Sequence, residues 1–80
     1  MKFENEFEIL LRALGHKIKE YREKINLTQE DMADGNYTVD YKYYQRIESG
    51  KRNITIKTLF KLSKKLNVPL KDLLDIESKK

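Results

Sequence analysis

Polar and basic side chains are concentrated in the stretch YKYYQRIESGKR, residues 41–52. If its first eight residues form a helix, at about 100° per residue, Tyr44 and Ile47 lie on one face and polar side chains on the other. The polar face consists of Lys42, Gln45 and Arg46, with Tyr41 on its flank. Such ammonium, amide and guanidinium groups pair with base edges and phosphates, and the basic pair Lys51 and Arg52 follows directly. A surface helix also turns a polar face to solvent, so the pattern alone leaves both interpretations open.

Two short helices separated by a turn would position these side chains. Thr28 is a good N-cap, and Asp31 can return a hydrogen bond as in a capping box. The first helix is predicted from Gln29 to about Asp34. Gly35 and Asn36 then tolerate positive φ and end it.

The second helix has equally clear boundaries in the sequence. Asp40 is a second N-cap, and the helix is predicted over residues 41–48. Gly50 lies just past its end, where a residue in the left-handed conformation is expected.

Three strings in one order make a specific pattern: LGHKIKEYREKINLTQEDMA, then YQRIESGKRN, then TLFKLSKKLNVPLKDLL. They resemble the helix-turn-helix family of phage repressors, Cro proteins and Xre-like bacterial regulators over about residues 14–74. The segment RNITIK, residues 52–57, also resembles controller proteins of restriction–modification systems. One departure from the family pattern is an extra residue in GNYT, residues 35–38. Tyr44 also stands where the family has a core isoleucine, and its hydroxyl must reach a polar partner.

The resemblance implies a sequence-specific, double-stranded DNA-binding transcriptional regulator. The second helix of such a motif enters the major groove, while the first lies across the DNA backbone. The positions expected to meet base edges are Tyr41, Lys42, Gln45 and Arg46. The positions expected to meet the DNA backbone are Thr28, Gln29, Tyr43, Lys51, Arg52, Asn53 and Arg22. In some family members the arginine of the first helix pairs with the glutamate ending the recognition helix, which here gives the structural pair Arg22 and Glu48. Alternatively, Tyr43 shields the core and Asn53 shapes its loop.

Apolar residues at steps of three and four predict one long amphipathic helix from Asn5 to Lys24. Residues 1–13 precede the family pattern and form an N-terminal extension. Its apolar stripe of Phe3, Phe7 and Leu10 packs either on the last helix of the same chain or on a second subunit. Gly15 interrupts the pattern and could mark a kink or a change of helix.

Two more helices complete the predicted fold. Thr55 caps a helix over residues 56–66, and Pro69 starts a last one at about residues 70–74. The lysines of the first of these are expected to form a solvated face rather than a DNA contact: Lys61, Lys64 and Lys65. The fold class is therefore all-α, a compact five-helix repressor-like helix-turn-helix domain with an extended helix 1. The whole chain is one domain, with the extension at 1–13, a core at 14–75 and a frayed polar tail at 76–80.

Sixteen apolar or small residues are candidates for the core. They are Leu14, Ile18, Tyr21, Leu27, Met32, Ala33, Val39, Tyr44, Ile47, Ile54, Leu59, Leu62, Leu66, Val68, Leu73 and Leu74.

Composition narrows the function further. The net charge of +4 suits a polyanionic partner, and the chain has no cysteine for a disulfide or thiolate metal site. No apolar run reaches the roughly 20 residues of a membrane span. His16 is the single histidine, and no glycine-rich phosphate loop occurs, so we expect neither an enzyme nor a cofactor. The expected partners are double-stranded DNA and a second copy of the chain, in the cytoplasm, with no membrane and no small-molecule ligand. The alternative is a protein-interaction module on the same fold, such as an antitoxin or an adaptor.

Overall fold

The computed structural model describes residues 2–76 and contains four α-helices in that range. Helix α1 spans Phe3–Lys24, α2 spans Tyr41–Glu48, α3 spans Ile56–Leu66 and α4 spans Leu70–Leu73. One turn of 3₁₀ helix, Glu30–Ala33, lies between α1 and α2. The all-α prediction is confirmed, since residues 2–76 include no strand, but the predicted count of five helices is wrong. The predicted tail lies largely outside the described residues, from residue 77 onward.

The predicted second helix is the element that fails to become an α-helix. Its capping pair forms: Thr28 N donates to Asp31 Oδ2 at 2.7 Å, and Asp31 N donates to Thr28 Oγ1 at 3.1 Å. However, Met32 is the only buried residue of the segment, and Ala33, a predicted core residue, is exposed. Gly35, at φ +82°, lies two residues beyond the end of the turn. One apolar anchor and a nearby glycine cannot sustain a longer helix, because most helical stability comes from packing an apolar face.

The loop that follows, residues 34–40, is fastened to its neighbours by hydrogen bonds. Val39 N donates to the carbonyl oxygen of Met32 at 3.1 Å. From α3, Lys61 Nζ donates to the carbonyl oxygen of Thr38 at 3.2 Å, and Lys65 Nζ donates to that of Asp34. These two lysines therefore hold the loop instead of only facing solvent. The second residue with positive φ in the loop is Tyr37, at +56°, and not Asn36 as predicted.

The core lies where α1, α2, α3 and α4 meet. Its buried residues are Leu14, Ile18, Met32, Val39, Tyr44, Ile47, Leu59, Leu62, Leu66 and Leu73. All ten were among the candidates, and the half-buried Tyr21, Leu27, Ile54 and Val68 pack against them. Leu74 is 48% exposed, contrary to prediction, because α4 ends at Leu73 and turns only one side to the core.

Helix α1 begins two residues earlier than predicted and carries an uncovered extension. Phe3 is 72% exposed and Leu10 is 47% exposed, while Phe7 is half-buried. Of the two alternatives for this stripe, packing on the last helix of the same chain does not account for Phe3 and Leu10, which stay exposed. The first turns of α1 project beyond the core, consistent with overall dimensions of 41 × 22 × 21 Å. Contact with a second subunit remains a prediction.

Gly15 marks a contact between helices and not a break in α1, which continues through it. A Cβ atom at this position would overlap the backbone carbonyl oxygens of Ile47 and Glu48. The absence of a side chain thus lets α1 approach the C-terminal end of α2 at backbone distance.

Gly15→Ala separates this contact from helix propensity. Propensity alone would stabilise the variant by about 0.5–1 kcal/mol. The overlap with α2 should prevail and lower the free energy of unfolding by about 1–3 kcal/mol, measured by urea denaturation. Lys19→Ala, at an exposed position of the same helix, is the control and should stay within about 0.5 kcal/mol of the parent. A Gly15→Ala variant as stable as the parent would contradict the close contact.

Candidate nucleic-acid interface

Helix α2 is held so that one face is buried and the other is open. It begins where Asp40 Oδ2 accepts a hydrogen bond from Tyr43 N at 3.2 Å, and Gly50 follows its end at φ +75°. Tyr44 is fully buried and Ile47 is 2% exposed. The opposite side turns outward, where Tyr41, Lys42 and Arg46 are exposed and Gln45 is half-buried. The local signals at both ends of this helix therefore match its predicted range, 41–48.

Behind this open face lies a buried ion pair between Arg22 of α1 and Glu48 of α2. Arg22 Nε donates to Glu48 Oε2 at 2.6 Å, and its NH2 group donates to Oε1 at 3.3 Å. The remaining NH1 group donates to the carbonyl oxygen of Leu27 at 2.6 Å. The side chains of Arg22 and Glu48 are 9% and 5% exposed. Tyr44 completes the cluster by donating its hydroxyl hydrogen to Glu48 Oε2.

These contacts keep Glu48 ionised. Burial by itself raises the pKa of Glu48, but hydrogen bonds from Arg22, Tyr44 and Gln29 outweigh it and leave the pKa below its usual value. The hydrogen bond to Glu48 raises the pKa of Arg22. Burial also raises the pKa of Tyr44, so its hydroxyl remains a neutral donor. The carboxylate is thus the acceptor of the cluster, and its neighbours are the donors.

Two glutamines connect this cluster to the open face of α2. Gln29 Nε2 donates to Glu48 Oε1 at 2.9 Å. Gln45 Nε2 donates to Gln29 Oε1 at 3.2 Å and to the Tyr41 hydroxyl oxygen at 3.0 Å. The sequence does not predict this connection, because it joins residues 16 positions apart across the irregular loop. No local pattern predicts such a contact.

The basic loop after α2 is supported by Tyr43. The Tyr43 hydroxyl donates to the carbonyl oxygen of Asn53 at 3.3 Å, and the Arg52 guanidinium lies 4.7 Å from the centre of the Tyr43 ring. Lys51, Arg52 and Asn53 are all exposed. The aromatic ring and the hydroxyl together hold two of these loop residues beside α2.

The structure therefore brings most of the predicted site residues to one side of the molecule. Thr28 and Gln29 lie at the start of the 3₁₀ turn, beside a shallow recess that Tyr41 also lines. Arg22 lines the same recess, but its side chain is only 9% exposed and its guanidinium is bound to Glu48 and Leu27. This placement suits an arginine that positions α2, and its contact with a phosphate remains a prediction.

Two other kinds of site find no support within residues 2–76. No group of three histidine, cysteine or acidic side chains in that range could hold a metal ion. No helix in the described part of the chain is long and apolar enough to span a membrane.

A profile described as helix-turn-helix matches residues 18–73. The chain belongs to the helix-turn-helix family. One relative is the control protein C.MunI from Mycoplasma sp., 43% identical over 65 residues that cover 79% of this chain and 86% of that protein. The crystal structure of the restriction–modification controller protein C.AhdI from Aeromonas hydrophila superposes with a TM-score of 0.74 at 28% identity. The superposed residues cover 79% of this chain and 94% of the C.AhdI chain.

These matches confirm the resemblance to Xre-like helix-turn-helix proteins and the local likeness to controller proteins. They identify this helix-turn-helix protein as a DNA-binding transcriptional regulator, in a family that is not a class of enzymes. The profile starts at residue 18, so the N-terminal extension lies outside the shared motif.

The ion pair behind α2 predicts a specific loss of stability in acid. Because the pKa of Glu48 is lowered in the folded state, its contribution is complete above the ordinary glutamate pKa of about 4.3. It is lost progressively as the pH falls from there through the lower folded-state pKa, since only the unfolded chain takes up the proton at first. Glu48→Gln should cost about 3–5 kcal/mol at pH 7, because it leaves Arg22 buried without a counter-charge.

The difference in unfolding free energy between parent and Glu48→Gln should therefore shrink as the pH falls below about 4.3 and through the lower folded-state pKa of Glu48. Glu23→Gln is the matched control, since Glu23 is 57% exposed and only 3.9 Å from Arg22. That variant should change stability by less than about 1 kcal/mol. A parent–variant difference for Glu48→Gln that is constant with pH would contradict the buried ionised carboxylate.

Proposed function

We infer that this protein is a sequence-specific transcriptional regulator that inserts α2 into the major groove of double-stranded DNA. The observation that carries the inference is the division of α2 into a fully buried face and an open face with Lys42 and Arg46 exposed. The major groove admits an α-helix, and family membership supports this mode of docking. The proposed location of this activity is the cytoplasm.

The side chains of the open face suit different contacts with base edges. Arg46 has the planar fork that matches O6 and N7 of guanine. Lys42 can donate to the same atoms or to a phosphate. Tyr41 and Gln45 lie one helical turn apart and are the remaining candidates for base contacts.

The proposed contacts to the DNA backbone flank this face on both sides. Lys51, Arg52 and Asn53 are exposed in the loop after α2, and Tyr43 supports that loop. Thr28 and Gln29 lie at the start of the 3₁₀ turn and are proposed to meet phosphate on the other side. Contacts of this kind set the register of a protein on DNA without selecting a sequence. We assign Arg22 to holding α2, because it is buried.

We further propose that the protein controls genes of a restriction–modification system. Both relatives described above are named as controllers, and one of them is 43% identical to this chain over 65 residues. Locating the selected binding site in the source genome tests this role. A site beside genes for a methyltransferase and an endonuclease supports it, while sites confined to unrelated genes contradict it.

The protein is proposed to bind DNA as a homodimer. One recognition helix covers only a few base pairs, whereas two related by a twofold axis reach successive major grooves. Two surfaces could form the dimer interface, the region after α4 and the N-terminal extension. Each carries apolar side chains that a second copy could cover. Leu74, after α4, is 48% exposed, and in the extension Phe3 is 72% exposed and Leu10 is 47% exposed.

Arg46→Ala should lower specificity, whereas Lys51→Ala and Arg52→Ala should lower affinity for every sequence. Loss of the guanine contact is expected to cost roughly 1–3 kcal/mol on the preferred site and much less on unrelated DNA. Each loop variant should also reduce the slope of log K against log salt by about one unit, because fewer counterions are released. Titration of the three variants against preferred and scrambled duplexes at several salt concentrations measures both effects.

Two outcomes would count against these assignments. Equal weakening of both duplexes by Arg46→Ala would make Arg46 a phosphate contact. If the parent protein is not retained on heparin or on any duplex at low salt, a protein-interaction module becomes the better function.

The homodimer predicts an imperfect palindrome among duplexes selected from a random pool. The two half-sites should lie about 34 Å apart, one turn of the double helix, so that both recognition helices approach the same side. Light scattering of the complex should give two chains per duplex. A short asymmetric site with one chain bound would contradict the dimer.

A further inference from the structure

The carboxylate of Glu48 determines the direction of every hydrogen bond between it and the open face of α2. An ionised carboxylate only accepts hydrogen bonds, so the side-chain amide of Gln29 must present its NH2 group to Glu48 Oε1, at 2.9 Å. The carbonyl oxygen of Gln29 then faces away from Glu48. It faces Gln45, which must in turn present its own NH2 group, at 3.2 Å.

These hydrogen bonds occupy the NH2 group of Gln45 and leave its carbonyl oxygen, Oε1, available for another contact. Its NH2 group has two hydrogen atoms, and the structure provides an acceptor for each: Gln29 Oε1 and the Tyr41 hydroxyl oxygen at 3.0 Å. Within residues 2–76, no donor meets Gln45 Oε1. Rotating either amide by half a turn would bring oxygen against oxygen, next to a buried negative charge. The orientation is therefore a consequence of the charge on Glu48, two side chains away.

We propose that Gln45 contacts a base pair only as a hydrogen-bond acceptor and so selects a major-groove amino group, adenine N6 or cytosine N4. Gln29 is the positioning residue that imposes this polarity. A glutamine with a free amide would bind adenine through N6 and N7 together, using both its oxygen and its NH2 group. Here the NH2 group is occupied, so N7 should not contribute. The inference rests on the proposed insertion of α2 into the major groove.

The orientation of the Gln29 and Gln45 side-chain amides can be tested without DNA, by NMR of the full-length protein. Both Nε2 protons of Gln45 should be shifted from the positions of a free glutamine amide and exchange slowly with water. Gln29→Met, which retains length but has no carbonyl oxygen, should return one of them to the free position. Free-amide shifts for Gln45 in the parent protein would overturn the inference, whatever the protein does on DNA.

The base preference is tested by selecting duplexes with the parent and with Gln45→Met. The two selections should differ at one base pair of each half-site, which in the parent carries adenine or cytosine opposite Gln45. Replacing that adenine by purine, or that cytosine by pyrimidin-2-one, removes the amino group and should weaken binding about 2- to 12-fold. Replacing adenine by 7-deazaadenine removes N7 and should leave affinity unchanged. Guanine or thymine at this position, or a loss of affinity with 7-deazaadenine, would overturn the proposal.

Gln29→Met distinguishes positioning from a contact with phosphate. It should relax the choice between amino-bearing and acceptor-bearing bases at the Gln45 position, and make binding to adenine sensitive to 7-deaza substitution. Lys51→Ala is the control, since it should weaken binding to all duplexes with the base profile intact. A Gln29→Met variant that weakens all duplexes equally overturns the positioning role.

If the proposed function itself is wrong, the selections with the variants give a different result. If neither Gln45→Met nor Arg46→Ala alters any base preference, or the parent selects no sequence, then major-groove insertion of α2 is wrong. If Arg46→Ala alters the preference and Gln45→Met does not, the proposed function stands and the inference about Gln45 fails.

Discussion

The placement of α2 depends on the buried pair of Arg22 and Glu48. Removing two charges from water costs several kcal/mol for each ion, and only good geometry with further hydrogen bonds offsets that cost. Tyr44 and Gln29 supply those further bonds here, both to the Glu48 carboxylate. Any shift of α2 relative to α1 would break some of them and leave a charge buried without a partner. The pair therefore contributes more to fixing the position of α2 than to the stability of the protein.

The close contact at Gly15 acts on the same end of α2. Because α1 has no side chain there, it approaches the carbonyl oxygens of Ile47 and Glu48 directly. At the same end of α2, Arg22 donates two hydrogen bonds to the Glu48 carboxylate, at 2.6 and 3.3 Å. The close contact at Gly15 and the Arg22–Glu48 ion pair therefore both act on the last turn of α2. The long loop before α2 is tolerated because Lys61 and Lys65 fasten it from α3.

Tyr44 shows how the protein accommodates a residue larger than the isoleucine expected from the family pattern. The ring is fully buried in the core, and burial of its hydroxyl alone would be unfavourable. The hydroxyl reaches Glu48, one turn along the same helix, and donates to it. The substitution therefore adds a donor to the buried carboxylate and contributes to the lowered pKa of Glu48.

Much of the fold was predictable because its signals are local. The predicted ranges of α2 and α3 match the structure, since Asp40 and Thr55 cap their own helices within three residues. The burial of Tyr44 and Ile47 followed from helical periodicity. The 3₁₀ turn was not predicted as such, because Thr28 and Asp31 cap a short α-helix and a 3₁₀ turn equally well. The number of apolar side chains that pack against the rest of the protein decides between a short α-helix and a 3₁₀ turn. That number is set by the tertiary structure.

The sequence by itself determined the family, the helical class, the residues on the open face of α2 and the basic loop that follows. These depend on residue type and short-range spacing, which the chain carries without folding. The tertiary structure alone decided that Arg22 is buried, that Gly15 is a contact and not a kink, and that Phe3 and Leu10 remain uncovered. It also decided the orientation of the Gln29 and Gln45 amides. Each of these depends on the distance between groups far apart in the chain, and such distances exist only once the helices have packed.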